Sequence, residues 1–537
     1  MLNQIPVSII FVIFLLNTLV SGFSQDMDNR PNILFAISDD QTHGHTSYAG
    51  AKWVSTPGFD RIASEGIYFE NCYAGSPGCA PSRSSIVTGR YHWQNEQAGQ
   101  HAAGWFEKYV PFVDEVEKNG YHTGYTGKGV GPFEYGDSPL RSTNAAGTVY
   151  NEIQYEEGSP EDERFASKIR NLNYFENFKA FLQKRENGEP FFFWYGASEP
   201  HRSYEKDSWK RRGKNLSSVD VPEFMPDDEV IRGDILDYAV EIEWFDLHLQ
   251  RMVNYLEEIG ELENTIIIVT ADNGMPFPRA KANAYDYGAH VPMAIRFPKE
   301  FPGGRKVKTP VSFIDIAPTV LELTQTEKGN MKAISGQSLV TLLESHNENR
   351  VKNKRGYSIY SRERHSSSRY KNWGYPQRAI RKGDYLLIWN MKPDRWPAGA
   401  PQRIVPGTNR KELYPLYGID ESGEHHSEWA FTDIDACPSK SFIVENREDP
   451  EFSRYFDWAV AKRPEFELFN VKKDPSNLTN LYGVKKYKKH QETLLNVLKS
   501  ELEKFKDPRI TGSEPEIFDS YPRYSPMRQF PKPEEGK

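Results

Sequence analysis

The chain has 537 residues, 38% of them hydrophobic and 13% aromatic. That is enough for two packed domains and excludes a disordered chain. Lysine and arginine total 67 against 75 aspartate and glutamate, a net charge of −8, which excludes nucleic acid as a bulk partner but leaves room for a few local cations to hold a small anion.

Residues 9–20 (IIFVIFLLNTLV) form a short apolar run ahead of Ser21-Gly22-Phe23-Ser24. Its length suits the core of a signal peptide and falls short of a membrane span. Residues 1–24 are therefore predicted to be a signal peptide cut near Ser24, which makes the protein exported, either periplasmic or secreted. The stretch before the run lacks the usual lysine or arginine. No cysteine follows it directly, which argues against a lipid anchor. No other segment has the length and apolarity for stable membrane insertion.

Stretch 31–38 (PNILFAIS) has the continuous apolarity of a buried parallel strand and runs straight into Asp39-Asp40. Open α/β sheets bind ligands at the carboxyl ends of their strands. The two acids are thus candidate metal ligands; a turn capping the next helix is the alternative. Pro57 opens and Gly66 closes a short predicted helix. Residues 67–72 read as a strand, and 82–88 as a helix whose N-terminus favours an anion. At 120–130 (GYHTGYTGKGV) a strand leads into a glycine-rich turn bearing Lys128. Phe165, Ile169, Leu172, Phe175, Phe178 and Leu182 recur at spacings of three and four, predicting one helix.

Stretch 190–196 (PFFFWYG) is another buried strand and delivers Glu199-Pro200-His201-Arg202. Ile242, Phe245, Leu249, Met252 and Leu256 mark a long amphipathic helix stopped at Gly260. The clearest buried strand, 264–270 (NTIIIVT), leads to Asp272-Asn273-Gly274. This alternation predicts an α/β domain over residues 26–345 with a mostly parallel central sheet. The polar stretch 345–355 reads as a linker. Strands near 357–360, 379–380, 385–388 and 467–470, with a helix near 491–504, predict a smaller C-terminal α+β domain with an antiparallel sheet over 356–506. Residues 507–537, rich in proline and charge, are predicted to be a tail over the surface.

The three cysteines are Cys72, Cys79 and Cys437. Cys79 lies in 78–90 (GCAPSRSSIVTGR), and this stretch resembles the type I sulfatase signature C-x-P-S-R-x-x-x-x-T-G. Residues 281–292 (KANAYDYGAHVP) resemble that family's K-x-x-x-Y-E-x-G-x-x-V-P. The resemblance runs from about Arg30 to Tyr482 and implies an alkaline-phosphatase-like sandwich. It implies that Cys79 is converted to formylglycine (3-oxoalanine) by a maturation enzyme, and that Asp39, Asp40, Asp272 and Asn273, with residue 79, bind Ca2+. It further implies that Lys281 contacts the sulfate and its bridging oxygen, that Lys128 stands near the formylglycine, that Arg83 holds the diol and neutralises charge, and that His201 is the general acid. The two remaining cysteines either pair in an oxidising compartment or stay as buried thiols. Asn215 and Asn477 open glycosylation sequons, which matter only in a host that glycosylates exported proteins.

One departure stands out. The family commonly has G-K-x-H, whereas this chain has Gly127-Lys128-Gly129-Val130. Stretches 272–278 (DNGMPFP) and 129–132 (GVGP) look most like the branch containing heparan N-sulfatase, which implies a sugar sulfate or sulfamate as substrate. Arg362, His365 and Arg378 fall in the smaller domain, where the family often builds its substrate pocket; a solvated charged loop is the alternative. Two other classes compete with a sulfatase: a phosphatase or phosphodiesterase of the wider alkaline-phosphatase group, and a glycan-binding relative that has lost catalysis. The C-x-P-S-R run argues against the first, and the absent histidine motivates the second.

Overall fold

The computed structural model describes residues 30–186, 188–352, 355–409 and 412–533. The predicted signal peptide lies outside the described residues. No helix among the described residues is long and apolar enough to cross a membrane.

A central eight-stranded sheet carries the larger domain. Its strands are β1 (Asn32–Ser38), β2 (Ile67–Phe69), β3 (His122–Gly127), β4 (Thr148–Val149), β5 (Phe191–Gly196), β6 (Thr265–Ala271), β7 (Met293–Arg296) and β8 (Arg305–Val307). They lie in the order β8-β2-β7-β6-β1-β5-β3-β4. Only β7 runs against its neighbours; the other pairings are parallel. Because side chains alternate across a strand, Ile33, Phe35 and Ile37 enter one apolar cluster while Leu34 and Ala36 enter another on the opposite face. Both faces are covered, which is why these strands read as unbroken apolar runs.

Helices fill the two outer layers. On one face packs α1 (Pro57–Glu65), then α3 (Tyr174–Gln183) and the long α4 (Glu229–Glu258); on the other packs α2 (Cys79–Thr88). The predicted helix over 165–182 is shorter than its spacing suggests. Phe165, Ile169 and Leu172 belong to a loop that wraps onto the same apolar cluster. The helix begins only after Asn173, whose side chain caps the Glu176 amide. The predicted strand 67–72 divides at Glu70-Asn71: Cys72–Tyr73 joins a small separate sheet. Cys72 and Cys437 are free and buried, so the thiol alternative holds.

The smaller domain is an antiparallel sheet of β9 (Ser358–Arg362), β10 (Gln377–Lys382), β11 (Tyr385–Asn390) and β12 (Phe466–Asn470), with α5 (Lys488–Lys504) on one face. Leu494, Leu498 and Leu502 of α5 meet Ile359, Ile380, Leu387 and Leu468 there. The other face presents Tyr360, Leu386, Ile388 and Phe469 to Tyr73 and Tyr285 of the larger domain. Residues beyond 506 do more than lie on the surface. Asp507 and Phe518 are fully buried, and the Tyr524 amide donates to the Ala102 carbonyl at 2.9 Å.

Candidate active site

Four neighbouring parallel strands, β6, β1, β5 and β3, end on one side of the sheet, and each hands a polar residue to the same place. β1 leads to Asp39-Asp40, β6 to Asp272-Asn273, β5 to His201 and β3 to Lys128. The Asp272 amide donates to the Ser38 carbonyl at 3.0 Å, and the Asp39 amide to the Glu199 carbonyl at 3.0 Å. Asp40 sits at φ 75, in the left-handed region that aspartate tolerates better than most residues. The turn after β3 needs glycine on both sides: a Cβ on Gly196 would lie 1.9 Å from the Lys128 carbonyl oxygen, and one on Gly127 2.1 Å from the Gly196 oxygen.

Cys79 is the first residue of α2, one turn earlier than the predicted start, with Gly78 as its N-cap. It therefore stands where helical amides have no intrahelical partner and an anion is favoured. Arg83, one turn on, is fully buried. Its Nε donates to Asp272 Oδ2 at 2.8 Å and its Nη1 to the carbonyls of Lys128 and Gly129 at 2.8 and 2.9 Å. Lys128 Nζ pairs with Asp39, and Lys281 Nζ bridges Asp40 at 2.6 Å and Asp435 at 3.0 Å. His201 Nδ1 donates to the Arg202 carbonyl at 2.7 Å, leaving Nε2 facing Asp40 at 3.9 Å.

Charge crowding shapes the ionisation here. Burial raises the Asp39 carboxyl, but Lys128 leads a set of cations that hold it well below the usual carboxylate range. Burial and then Asp39 push Asp272 up to about 6. Burial lowers Lys281, yet Asp40 and Asp435 outweigh it and keep the ammonium charged well above its ordinary range. Burial pushes the Cys79 thiol up to about 11, so little thiolate exists at neutral pH.

The donors suit a hard divalent cation. Asp39, Asp40, Asp272 and Asn273 offer only oxygens as ligands and are all buried. Two of those oxygens, Asp39 Oδ1 and Asn273 Oδ1, have no hydrogen-bond partner, and neither does Arg83 Nη2. Ligand atoms of Asp39, Cys79 and Asp272 lie within 4.8 Å of one another. Beside them opens a cavity of about 570 Å³ lined by Asp39, His101, Lys128, Arg170, Glu199 and His201 among others.

The three smaller-domain residues divide. His365 reaches the site: its Nδ1 is 3.0 Å from where a Cβ on Gly78 would sit. Arg378 does not serve as a substrate contact. It is fully buried, and Asp507 and Glu363 occupy its guanidinium. Arg378 is a correction to the sequence expectation: a charged residue on a strand does not disclose whether a carboxylate from a distant segment already neutralises it. Arg362 is also buried, at 2% exposure, and its Nη2 pairs with Asp433, which Arg369 shares, but its Nε and Nη1 have no partner, so the geometry does not decide its role. Asp435 and His101 were not singled out in the sequence. Asp435 lies 154 positions from Lys281, and nothing local marks it.

The family model described as Sulfatase matches residues 31–326, more than half of the chain, and the one described as N-sulphoglucosamine sulphohydrolase, C-terminal, matches 280–397. An ulvan-active sulfatase of Formosa agariphila is 24% identical over 487 residues, spanning 86% of this chain and 73% of the relative. An N-acetylglucosamine-6-O-sulfatase of Bacteroides thetaiotaomicron is 24% identical over 582 residues, spanning 91% of this chain and 89% of the relative. A solved structure described as a complex with its substrate D-glucosamine-2-N,6-O-disulfate superposes with a TM-score of 0.59 at 20% identity, covering 90% of this chain and all of that one. The fold is that of the alkaline-phosphatase-like sulfatases, and the chain belongs to the sulfatase family, a sulfuric ester hydrolase.

Proposed function

We propose that the chain is exported and removes sulfate esters from a sulfated polysaccharide or oligosaccharide, such as algal ulvan or a glycosaminoglycan, using a formylglycine made from Cys79 and one Ca2+. The observation that carries this reading is the set of unpartnered buried atoms around Cys79: Asp39 Oδ1, Asn273 Oδ1 and Arg83 Nη2. Buried polar atoms without partners are destabilising, by about 1–3 kcal/mol each, and a cation with an anionic group bound among Asp39, Asn273 and Arg83 would satisfy these three. Asp39, Asp40, Asp272 and Asn273 would hold the cation, which as a Lewis acid supplies charge stabilisation to a sulfate oxygen. Formylglycine supplies, as its hydrate, a nucleophilic hydroxyl that the protonated Cys79 thiol lacks.

The chain's own residues supply the rest. Arg83 is fixed by Asp272 and keeps one N–H free for an anion. Lys128 holds positive charge at the cavity wall and Lys281 holds it beside Asp40, each kept charged by a neighbouring carboxylate. His201, anchored through Nδ1, presents Nε2 as the donor to the departing alcohol oxygen. Glycan relatives from two bacterial genera support a sugar substrate.

A sulfamidase is the second reading, favoured by the match of residues 280–397 to the N-sulphoglucosamine sulphohydrolase model. One experiment tests both. The purified mature protein is assayed on an aryl sulfate and on defined N-sulfated and O-sulfated oligosaccharides, before and after chelation. Turnover of O-sulfates, lost with chelator and regained with calcium, is the expected result. Selective release from N-sulfated glucosamine favours the sulfamidase, and no sulfate release from any substrate defeats both. In the same assay His201→Ala slows release from sugars, which are poor leaving groups, by about 10²–10⁴-fold. It slows the aryl sulfate less.

A further inference from the structure

The G-K-x-H gap has a structural counterpart. Val130, which stands at the position of the family's histidine, is 0% exposed and packed into an apolar cluster. An imidazole nevertheless enters the cavity from the neighbouring segment. Ala103–Gly104 pairs in parallel with Phe133–Glu134, and the Ala102 amide donates to the Pro132 carbonyl at 3.2 Å. This pairing fixes His101 beside the loop that follows Lys128. The His101 ring lines the same cavity as Asp39, Lys128 and His201. Its Nδ1 is buried without a hydrogen-bond partner. Its amide is tied to the Arg364 carbonyl at 3.3 Å, and its ring lies 5.4 Å from that of His365, which abuts Gly78. His122, His248 and His425 also hold an unpaired buried ring nitrogen, but among the described residues His101 alone of the four lines this cavity.

We propose that His101 supplies the imidazole missing at position 130 and takes the proton that must leave when the enzyme releases sulfate. The inference rests on the formylglycine reading above. In this step His101 accepts the proton of the free hydroxyl on the residue-79 side-chain carbon. The pair that bound that proton becomes the second bond of the aldehyde. The bond from carbon to the sulfate oxygen breaks, and sulfate departs with its pair. No oxidant, reductant or further reactant enters.

The test uses the full-length mature enzyme, His101→Ala and His101→Gln, each mixed with excess aryl sulfate. Phenol release is followed from the first turnover, and the quenched protein is digested for mass spectrometry of the peptide holding residue 79. In both variants the expected result is a retained stoichiometric burst, a steady state slower by about 10²–10⁴-fold, and a peptide heavier by one SO3. Added imidazole speeds the steady state of His101→Ala. If His101→Gln melts early, His101→Ala and its imidazole rescue carry the test; if His101→Ala does, the burst, steady state and sulfated peptide of His101→Gln carry it. An unchanged steady state, or loss of the burst without a sulfated peptide, overturns the role of His101. A wild-type enzyme with neither burst nor turnover sinks the function reading itself, and so separates the two failures.

Discussion

Two buried arginines mark the difference between the two sheets. Arg378, in the antiparallel sheet, has every side-chain nitrogen engaged: Nε with Asp507, Nη1 with the carbonyls of Arg362 and Gln377, and Nη2 with Glu363 and Asp507. Arg83, at the end of the parallel sheet, is equally buried but keeps Nη2 unpartnered, beside carboxylates that crowd one another. The first network is closed and holds residues beyond 506 against the smaller domain. The second is open on one side, and that opening is what a ligand can complete. Burial and charge alone do not mark Arg83 as open; its unpaired Nη2, on a guanidinium set beside Asp272 and Asp39, does.

Breaking each side of the comparison gives distinct outcomes. Cys79→Ala is the largest: all measurable turnover of an aryl sulfate disappears, while the circular dichroism spectrum and melting temperature stay close to wild type. Next comes Arg378→Ala, which leaves Asp507 and Glu363 buried without this partner and destabilises by about 3–5 kcal/mol. Denaturant unfolding measures it, and KM for the surviving folded enzyme is unchanged. Leu498→Ala removes apolar contacts between α5 and the antiparallel sheet, an expected loss of about 2–5 kcal/mol, again with KM unaltered. Asn173→Ala sharpens the scale at its lower end: loss of the α3 cap lowers stability by about 1 kcal/mol by the same titration. If Arg378→Ala instead raises KM without loss of stability, the division between closed and open networks fails.

The parallel strands were legible in the sequence because strands covered on both faces need apolar side chains at every position. Their ends were legible too, since Asp39-Asp40 and Asp272-Asn273 break those runs abruptly. Spacing misled at Phe165, Ile169 and Leu172, because a loop draped over an apolar surface also presents a side chain every few residues. Cys79, Arg83, Lys128, His201 and Lys281 stand close to one another in the fold, each beside one of the acids that end β1 and β6. Asp435 and His101 were hidden because the chain segments that bring them in are joined to the site only by tertiary contacts. Arg378 was misassigned for the converse reason, since Asp507 neutralises it from far along the chain.

Mass spectrometry of residue 79 in actively turning-over protein tests the chemistry most directly. The expected peptide has lost the Cys79 sulfur and carries an aldehyde that reacts with a hydrazine probe. An intact Cys79 thiol throughout fully active protein would contradict the proposed nucleophile.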